Sequence, residues 1–198
     1  MTLSDSCPDD LQLWLRLRQG DEEAFALLFE KHLPTLYNYG IKLAPHRSDL
    51  VEDAIQELFI DLWRLRGGLT GEVGSVRFYL YRSLRRKICL LSRSGPTHAL
   101  TGLEEVKYLS QGSHEAELIQ SETDAQRMRD LRTLISKLPA RQKEALTLRY
   151  FDGFSNPEIA EIMGVSEKSV RNFLHKALSG LKAFRMWLAE RSRALLFF

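Results

Sequence analysis

The sequence contains few cysteines, and neither is placed for a metal site or a disulfide framework. Only Cys7 and Cys89 occur among 198 residues, without a CxxC pair and without a histidine at zinc-ligand spacing. The five histidines lie singly along the chain. An isolated histidine is far more often a surface or core residue than a ligand. We therefore expect no metal and no other cofactor.

Long apolar runs and a basic N-terminal segment are missing as well. No stretch approaches the roughly 18 apolar residues that a membrane-spanning helix needs. The first ten residues carry three aspartates and no basic residue, whereas a secretory signal begins with basic residues. We expect a cytoplasmic protein.

The short motifs of common enzyme chemistry are absent too. The sequence has no GxSxG elbow, no phosphate-binding P-loop and no HExxH pair, and its acidic residues fall on polar helix faces. An enzyme that modifies or hydrolyses nucleic acid is therefore the least favoured class. We predict that the chain is not an enzyme and has no small-molecule substrate.

Charge of each sign is confined to separate blocks. Residues 1–61 carry a net charge of −7, residues 62–93 of +7, residues 94–125 of −5 and residues 126–187 of +6, within a total of +2. Clustered lysine and arginine release counterions from nucleic acid, so the two basic blocks predict two polyanion-binding surfaces. For either block alone, a solvated helix face is the simpler alternative.

The spacing of apolar residues predicts an all-α fold. In the first third of the chain three helices are indicated by Leu11, Trp14 and Leu15, then Phe25, Leu28 and Phe29, then Leu50, Ala54, Leu58 and Leu62. Breaks are expected at Gly20-Asp21, where Asp21 can cap the next helix, and at Ala44-Pro45-His46, with Ser48 or Asp49 as the next cap. Pro34 is expected to kink or interrupt the second helix.

A glycine-rich segment and a basic helix come next. Residues 66–75 include four glycines, which predicts a flexible loop without helix. Residues 77–93 then show one apolar stripe, Leu80, Leu84, Ile88 and Leu91, which leaves Arg82, Arg85, Arg86 and Lys87 on the remaining circumference. Phe78, Tyr79 and Tyr81 lie among these cations. Single-stranded nucleic acid binds such surfaces, although aromatics at helical spacing are also ordinary core residues.

Composition also divides the chain into domains. Residues 94–122 are acidic, contain Gly95-Pro96 and Gln111-Gly112-Ser113, and show weak periodicity, which is typical of a flexible linker. We therefore predict two small helical domains, residues 1–93 and 123–187, followed by a tail of residues 188–198.

The most specific local pattern is a helix-turn-helix at residues 154–174. Ser155 and Glu158 form a capping box, Pro157 suits a first helical turn, Gly164 allows a tight turn and Ser166 caps the second helix. That helix buries Val170, Leu174, Ala177 and Leu181. Its outer residues are typical of major-groove recognition, with a plain helical hairpin as the alternative; the duplex-binding candidates are Lys168, Ser169, Arg171, Asn172, His175 and Lys176.

Two stretches carry a family resemblance. Residues 138–155, LPARQKEALTLRYFDGFS, together with the helix-turn-helix resemble the fourth conserved region of sigma-70 family factors. Residues 53–63, DAIQELFIDLW, resemble the second conserved region. The chain has no room for the middle domain of larger sigma factors, which makes it similar to the extracytoplasmic-function (ECF) type. A response-regulator type of DNA-binding protein is the runner-up, but residues 1–93 show no strand pattern for its α/β domain.

The resemblance implies partners and roles. It implies a factor that binds core RNA polymerase, at the clamp of the largest subunit and the flap of the second-largest, and that directs promoter recognition, melting and initiation. It also implies an anti-sigma partner. The implied clamp-docking residues are Asp53, Gln56, Glu57, Phe59 and Asp61. The residues implied at the melted minus-ten strand are Arg77, Phe78, Tyr79, Tyr81, Arg82, Arg85 and Arg86. The C-terminal helix-turn-helix would bind the minus-thirty-five element.

Overall fold

The structure is a computed structural model that describes residues 9–94, 133, 135 and 137–194, with side chains up to 92 in the first range and up to 182 in the last. The chain divides into two compact units, Met1–Gly102 and Leu103–Phe198. Every regular element among the described residues is helical, so the all-α prediction is confirmed. Residues 95–122 of the predicted linker lie outside the described residues, and its boundaries stay a prediction.

The first unit contains four α-helices and the second three within the described residues. In the first unit these are α1 (Asp10–Arg18), α2 (Glu22–Leu43), α3 (Ser48–Arg64) and α4 (Val76–Ser94), with a 3-10 turn at Arg66–Gly68. In the second unit they are α5 (Ala140–Tyr150), α6 (Asn156–Met163) and α7 (Glu167–Ala194). Helix α7 thus continues past Trp187, where the second domain was predicted to end. The glycine-rich segment, predicted to hold no helix, contains the 3-10 turn.

The predicted helix starts in the first unit are partly confirmed. The Asp21 side chain accepts a hydrogen bond of 3.1 Å from the Ala24 amide, and Gly20 takes the left-handed conformation with φ of +89°. The cap predicted at Ser48 or Asp49 is wrong. Helix α3 begins at Ser48 with Arg47 in the cap position and no side-chain cap hydrogen bond. The buried Leu50 and Val51 hold this first turn against the unit instead.

Two features of this unit differ from what the sequence pattern indicates. The interruption considered at Pro34 is absent, since helix α2 runs through the proline with buried residues on both sides of it, Leu28 and Leu36 among them. In α1, Leu11 and Leu15, whose spacing helped to predict the helix, are 41% and 39% exposed. Trp14 is fully buried together with Leu13 and Leu17, so the buried face of α1 lies on the opposite side of Trp14 from Leu11 and Leu15.

Gly40 lies where α2 packs tightly against α3. A Cβ atom built there would collide with Cγ1 of Val51, which is fully buried and β-branched, so it cannot swing aside. We expect Gly40→Ala to lower the free energy of unfolding of the first unit by about 1–3 kcal/mol, measured by urea denaturation. Gly180→Ala is the control, since its nearest neighbour, Leu138 Cδ2, lies 3.8 Å away. That variant should be neutral or more stable by up to about 1 kcal/mol. A Gly40→Ala protein as stable as the parent would contradict this packing.

His32 is a buried titratable residue at the junction of α1 and α2. It is 5% exposed, and its Nε2 lies 3.0 Å from an Asp10 carboxylate oxygen whose partner oxygen binds Lys31 at 2.7 Å. Burial lowers the pKa of His32 below 6.5; Asp10 opposes this shift, and Lys31 and Arg77 add to it. The folded state therefore takes up this proton at a lower pH than the unfolded state does.

A pH dependence of stability follows from this depressed pKa. Well above pH 6.5 His32 is neutral in both the folded and the unfolded state, so it contributes no pH dependence to the free energy of unfolding. As the pH falls below 6.5 the unfolded chain is protonated first, so the free energy of unfolding should fall until the folded pKa is reached. Urea denaturation at a series of pH values should show this loss in the parent and a weaker loss in His32→Gln. Equal pH slopes in the two proteins would exclude His32 as the cause.

Candidate nucleic-acid interfaces

The predicted helix-turn-helix is present with the expected local contacts. The Ser155 amide donates to the Glu158 carboxylate at 2.8 Å, and the Ser155 side chain accepts from the Glu158 amide. Pro157 lies in the first turn of α6. Gly164 ends the helix in the left-handed conformation with φ of +64°, and the following amide, of Val165, donates to Ala160 at 2.9 Å. The capping box and the glycine turn are therefore confirmed.

Helix α7 presents one polar stripe from a fixed scaffold. Ser166 Oγ accepts from the Ser169 amide at 3.2 Å and caps the helix, and the two hydroxyls share a further hydrogen bond of 2.9 Å. Val170 and Ala177 are fully buried and Leu174 is 9% exposed. The exposed candidates, spaced three and four residues apart on one face, are Lys168, Arg171, Asn172, His175 and Lys176. Ser169 is half-buried, with its hydroxyl engaged at the cap.

Two arginines of α5 donate hydrogen bonds to the helix-turn-helix. These contacts were not predicted from the sequence. Arg149 donates to the Phe154 carbonyl, just before α6, at 3.0 Å. Arg141 donates to the Met163 carbonyl, at the end of α6, at 3.4 Å. Both ends of α6 are thus bound to α5. The stripe on α7 is carried by a rigid three-helix unit, as a groove-binding helix requires.

Helix α4 carries the basic surface of the first unit, but one predicted member is wrong. Tyr81 is fully buried and stacks on Tyr39 with ring centroids 4.8 Å apart, so its ring is part of the core and cannot receive a base. Arg82 and Arg86 are exposed, and Phe78 and Arg85 are half-buried. The surface that a nucleic acid could reach on α4 is therefore smaller than predicted.

The other two predicted members lie at the start of α4, and each already contacts an aromatic residue of the core. The ring of Tyr79 is half-buried and meets Trp14 edge-on at 5.1 Å. The guanidinium carbon of Arg77 lies 5.4 Å from the centre of the Tyr81 ring. Both residues thus connect the basic surface to the core.

The predicted docking face of α3 is also corrected at one residue. Asp53, Gln56 and Glu57 are exposed, and Asp61 is half-buried. Phe59 is 3% exposed, and its ring packs edge-on against Phe29 at 4.9 Å. Since its ring lies inside the unit, Phe59 cannot be part of the outward face.

A salt bridge joins this acidic face to α4. Lys87 Nζ lies 2.6 Å from an Asp61 carboxylate oxygen and 3.5 Å from one of Glu57. Asp61 therefore already has a cationic partner within the unit. The exposed acidic residues, Asp53 above all, are the better candidates for an external partner.

An apolar groove of about 840 Å³ lies between α2 and α3. Its apolar lining is Phe25, Phe29, Leu33, Tyr37, Ile55, Phe59, Ile60 and Trp63, and Glu22, Glu52, Gln56 and Arg64 complete it. This groove was not predicted from the sequence. Its signal is a second apolar stripe on α2 at four-residue spacing, residues 25, 29, 33 and 37, beside the stripe that fills the core.

Comparisons with known proteins match both units. The family model "Sigma-70 region 2" matches residues 28–94, and "Sigma-70, region 4" matches residues 128–181. The chain is 29% identical over 191 residues to the RNA polymerase sigma-H factor of Pseudomonas aeruginosa, which covers 91% of this chain and 96% of that protein. It is 27% identical over 170 residues to the ECF RNA polymerase sigma-E factor of Escherichia coli, a match that covers 82% of this chain and 86% of that protein. The chain belongs to the ECF group of the sigma-70 family.

Solved structures agree with this sigma-factor fold. A structure of CnrH in complex with the cytosolic domain of CnrY aligns with a TM-score of 0.57 at 20% identity, covering 88% of this chain and 96% of that one. The sigma factor RpoE of Bartonella quintana, in complex with the anti-sigma factor NepR, aligns with a TM-score of 0.54 at 21% identity. This alignment covers 80% of this chain and 94% of that one.

The family matches contain most, but not all, of the surfaces described above. The basic face of α4, the predicted docking face of α3 and the predicted recognition helix α7 up to residue 181 lie within them. Helix α1 precedes the region 2 match, which begins at residue 28. As a sigma factor the chain is a transcription initiation factor, so the response-regulator alternative is not favoured. Among the described helices none is long and apolar enough to cross a membrane.

Proposed function

We propose that this sigma factor divides promoter recognition between two differently built surfaces: α7 binds duplex at the minus-thirty-five element, and α4 with its preceding loop holds the melted minus-ten strand. The observation that carries the proposal is the exposed donor stripe of α7 on its rigid scaffold. Lysine, arginine, asparagine and histidine on one helix face supply contacts to base edges and phosphates in a major groove.

The α4 surface is suited to unpaired DNA instead. Arg82 and Arg86 are exposed beside the half-buried Phe78, which places cations for phosphates next to an aromatic ring on which a base can stack. Stacking of this kind contributes about 1–3 kcal/mol per base. Arg85 and Tyr79 border this surface, and Tyr81 supports it from the core.

We further propose that the exposed acidic face of α3 docks on the clamp of the largest polymerase subunit and that the second unit contacts the flap of the second-largest. Asp53 and Gln56 offer charge and hydrogen bonds from exposed positions, and Glu57, which is also exposed, lies 3.5 Å from Lys87. Core polymerase, promoter DNA and the factor would then meet in the cytoplasm. Neither the docking nor the reading of DNA needs a substrate or catalytic group, and the chain is not proposed to be an enzyme.

An anti-sigma factor is proposed as a further partner. The solved structure of RpoE with NepR is a complex of a sigma factor with an anti-sigma factor, and CnrH is solved in complex with the cytosolic domain of CnrY. The groove between α2 and α3 is apolar at its centre and carries Glu22 and Glu52 among its lining residues. This combination fits an amphipathic helix with basic flanks.

Transcription with purified components tests the proposed function. The full chain is added to core polymerase with genomic DNA of its host, and transcript 5′ ends are mapped. We expect specific starts that are absent with core alone, each preceded by a shared minus-ten and minus-thirty-five pair. If the chain binds core yet produces no specific starts, it does not act as a promoter-recognition factor.

A further inference from the structure

Helix α1 binds the backbone of the glycine-rich loop that connects α3 to α4. The indole Nε1 of Trp14 donates to the Thr70 carbonyl at 2.9 Å. About one helical turn later, Arg18 Nε donates to the Leu69 carbonyl at 2.8 Å. The bonded residues are 56 and 51 positions apart in the chain. Two consecutive carbonyls of the loop are therefore held by side chains of one distant helix.

Further contacts fix both ends of the same loop. Trp14, fully buried, also packs edge-on against Tyr79 in the first turn of α4, so one side chain holds the loop and the helix that follows it. At the other end Arg66 donates to the Trp63 carbonyl at 2.6 Å and lies over the Trp63 ring at 4.2 Å. The Arg18 guanidinium lies against the backbone at Gly71, where a Cβ atom would come within 2.6 Å of Nη1.

These contacts shape the loop before any ligand arrives. Ordering a backbone residue costs conformational entropy, and glycine loses the most. In this chain the loop is ordered during folding and not on binding, because the carbonyls of residues 69 and 70 already accept hydrogen bonds from α1. The exposed residues of the loop, Thr70, Glu72 and Gly74, are thereby presented to solvent in a fixed arrangement. A preorganised loop binds its ligand more tightly and more selectively than a mobile one.

We propose that Trp14 and Arg18 are positioning residues for capture of the melted promoter strand: through the carbonyls of Thr70 and Leu69 they hold the loop beside α4 in the shape that accepts unpaired bases. The inference rests on the proposed function, in which this loop and α4 receive single-stranded DNA. It assigns a part in base selection to α1, which precedes the region 2 match. Neither residue touches the DNA itself.

Arg18→Gln and Arg16→Gln form a matched pair for the test. Both remove one positive charge from α1. Arg16, however, pairs with Asp21 at 2.7 Å and Glu23 at 2.9 Å, at the start of α2 and not in the loop. Each full-length variant is assembled with core polymerase and titrated with a fork probe, duplex at minus thirty-five and single-stranded at minus ten, from a promoter that the parent transcribes. The readout is the ratio of affinities between the preferred base and the other three at each unpaired position.

Arg18→Gln should reduce this discrimination ratio by about fivefold, the effect of one lost hydrogen bond, whereas Arg16→Gln should retain it. Binding to a probe that contains only the minus-thirty-five duplex should be unchanged in both. Trp14→Phe keeps a ring against Tyr79 but loses the donor to Thr70, and it should show the same loss of discrimination. Thermal unfolding midpoints, compared with that of Arg16→Gln, separate this effect from general destabilisation.

Trp14→Phe separates positioning from charge, because it removes a donor to the loop and leaves the charge of α1 unchanged. Full discrimination in Trp14→Phe, with Arg18→Gln impaired, would mean that the charge of Arg18 alone matters and would overturn the inference. Equal discrimination in Arg18→Gln and Arg16→Gln, in a holoenzyme that does select bases, would overturn the inference alone. A parent holoenzyme without any preference for the single-stranded segment would overturn the proposed function as well.

Discussion

Replacing Asp53 by lysine is expected to abolish stable association of the factor with core polymerase. Asp53 is exposed on α3, and within the part of the chain that the structure describes its carboxylate has no partner that the change would disturb. A reversed charge at a docking face removes an attraction and adds a repulsion, at a cost of several kcal/mol. We expect about 3 kcal/mol, or roughly a hundredfold in affinity. Co-purification and fluorescence anisotropy with labelled factor measure it.

The control for this experiment is Glu30→Lys, which makes the same charge reversal at an exposed position of α2. It should bind core as the parent does. Asp61 is unsuitable for the test, because it accepts from Lys87 at 2.6 Å and its reversal would place two cations together between α3 and α4. If Asp53→Lys is folded and still co-purifies with core, the clamp-docking role of this face is wrong.

Loss of the cations from the α7 stripe should have a comparably large effect on duplex binding. Arg171 makes only a weak surface contact, at 3.9 Å, to Glu167, so its guanidinium can turn to DNA at little cost. If it binds a guanine, Arg171→Ala should reduce discrimination at one base pair by about 1–3 kcal/mol. If it binds a phosphate, all sequences weaken alike and the slope of log affinity against log salt falls by about 0.9.

Lys182→Ala is the control, since it removes one exposed charge from the same helix beyond the stripe. The triple variant of Lys168, Arg171 and Lys176 to alanine gives the decisive result, because it removes all three lysine and arginine side chains of the stripe. Gel-shift titrations with minus-thirty-five duplex at several salt concentrations should show almost no specific binding. Unchanged binding by the triple variant would rule out α7 as the recognition helix.

The helix-turn-helix could be predicted in detail because each of its determinants is local. Ser155 and Glu158 are three residues apart, Gly164 adopts the left-handed turn at the end of α6, and Ser166 caps the helix that begins at the next residue. Such contacts depend on sequence neighbours, and their partners can be named from the chain alone. The exposed stripe of α7 then follows from helical periodicity.

The errors arose where the environment of a residue depends on distant elements. Tyr81 and Phe59 lie at positions whose exposure is decided by Tyr39 and Phe29 of another helix. The contacts of Trp14 and Arg18 with the loop join residues more than fifty positions apart. The periodicity of apolar residues within one segment cannot predict such contacts. Pro34 stayed inside α2 because tertiary packing outweighed its unfavourable local propensity.

The residues that hold α5 against α6 are different from the exposed residues of α7 that are proposed to bind DNA. Arg141 and Arg149 bind backbone carbonyls, and the interior faces of α6 and α7 are closed by Ile159, Val170 and Ala177. None of these contacts depends on the identities of the five exposed donors on α7. Substitutions there shift stability by no more than about 0.5 kcal/mol. If the exposed face of α7 binds the promoter as proposed, promoter preference can therefore change among descendants of this chain while the scaffold stays constant, and a regulon can be rewritten by changing a single helix face.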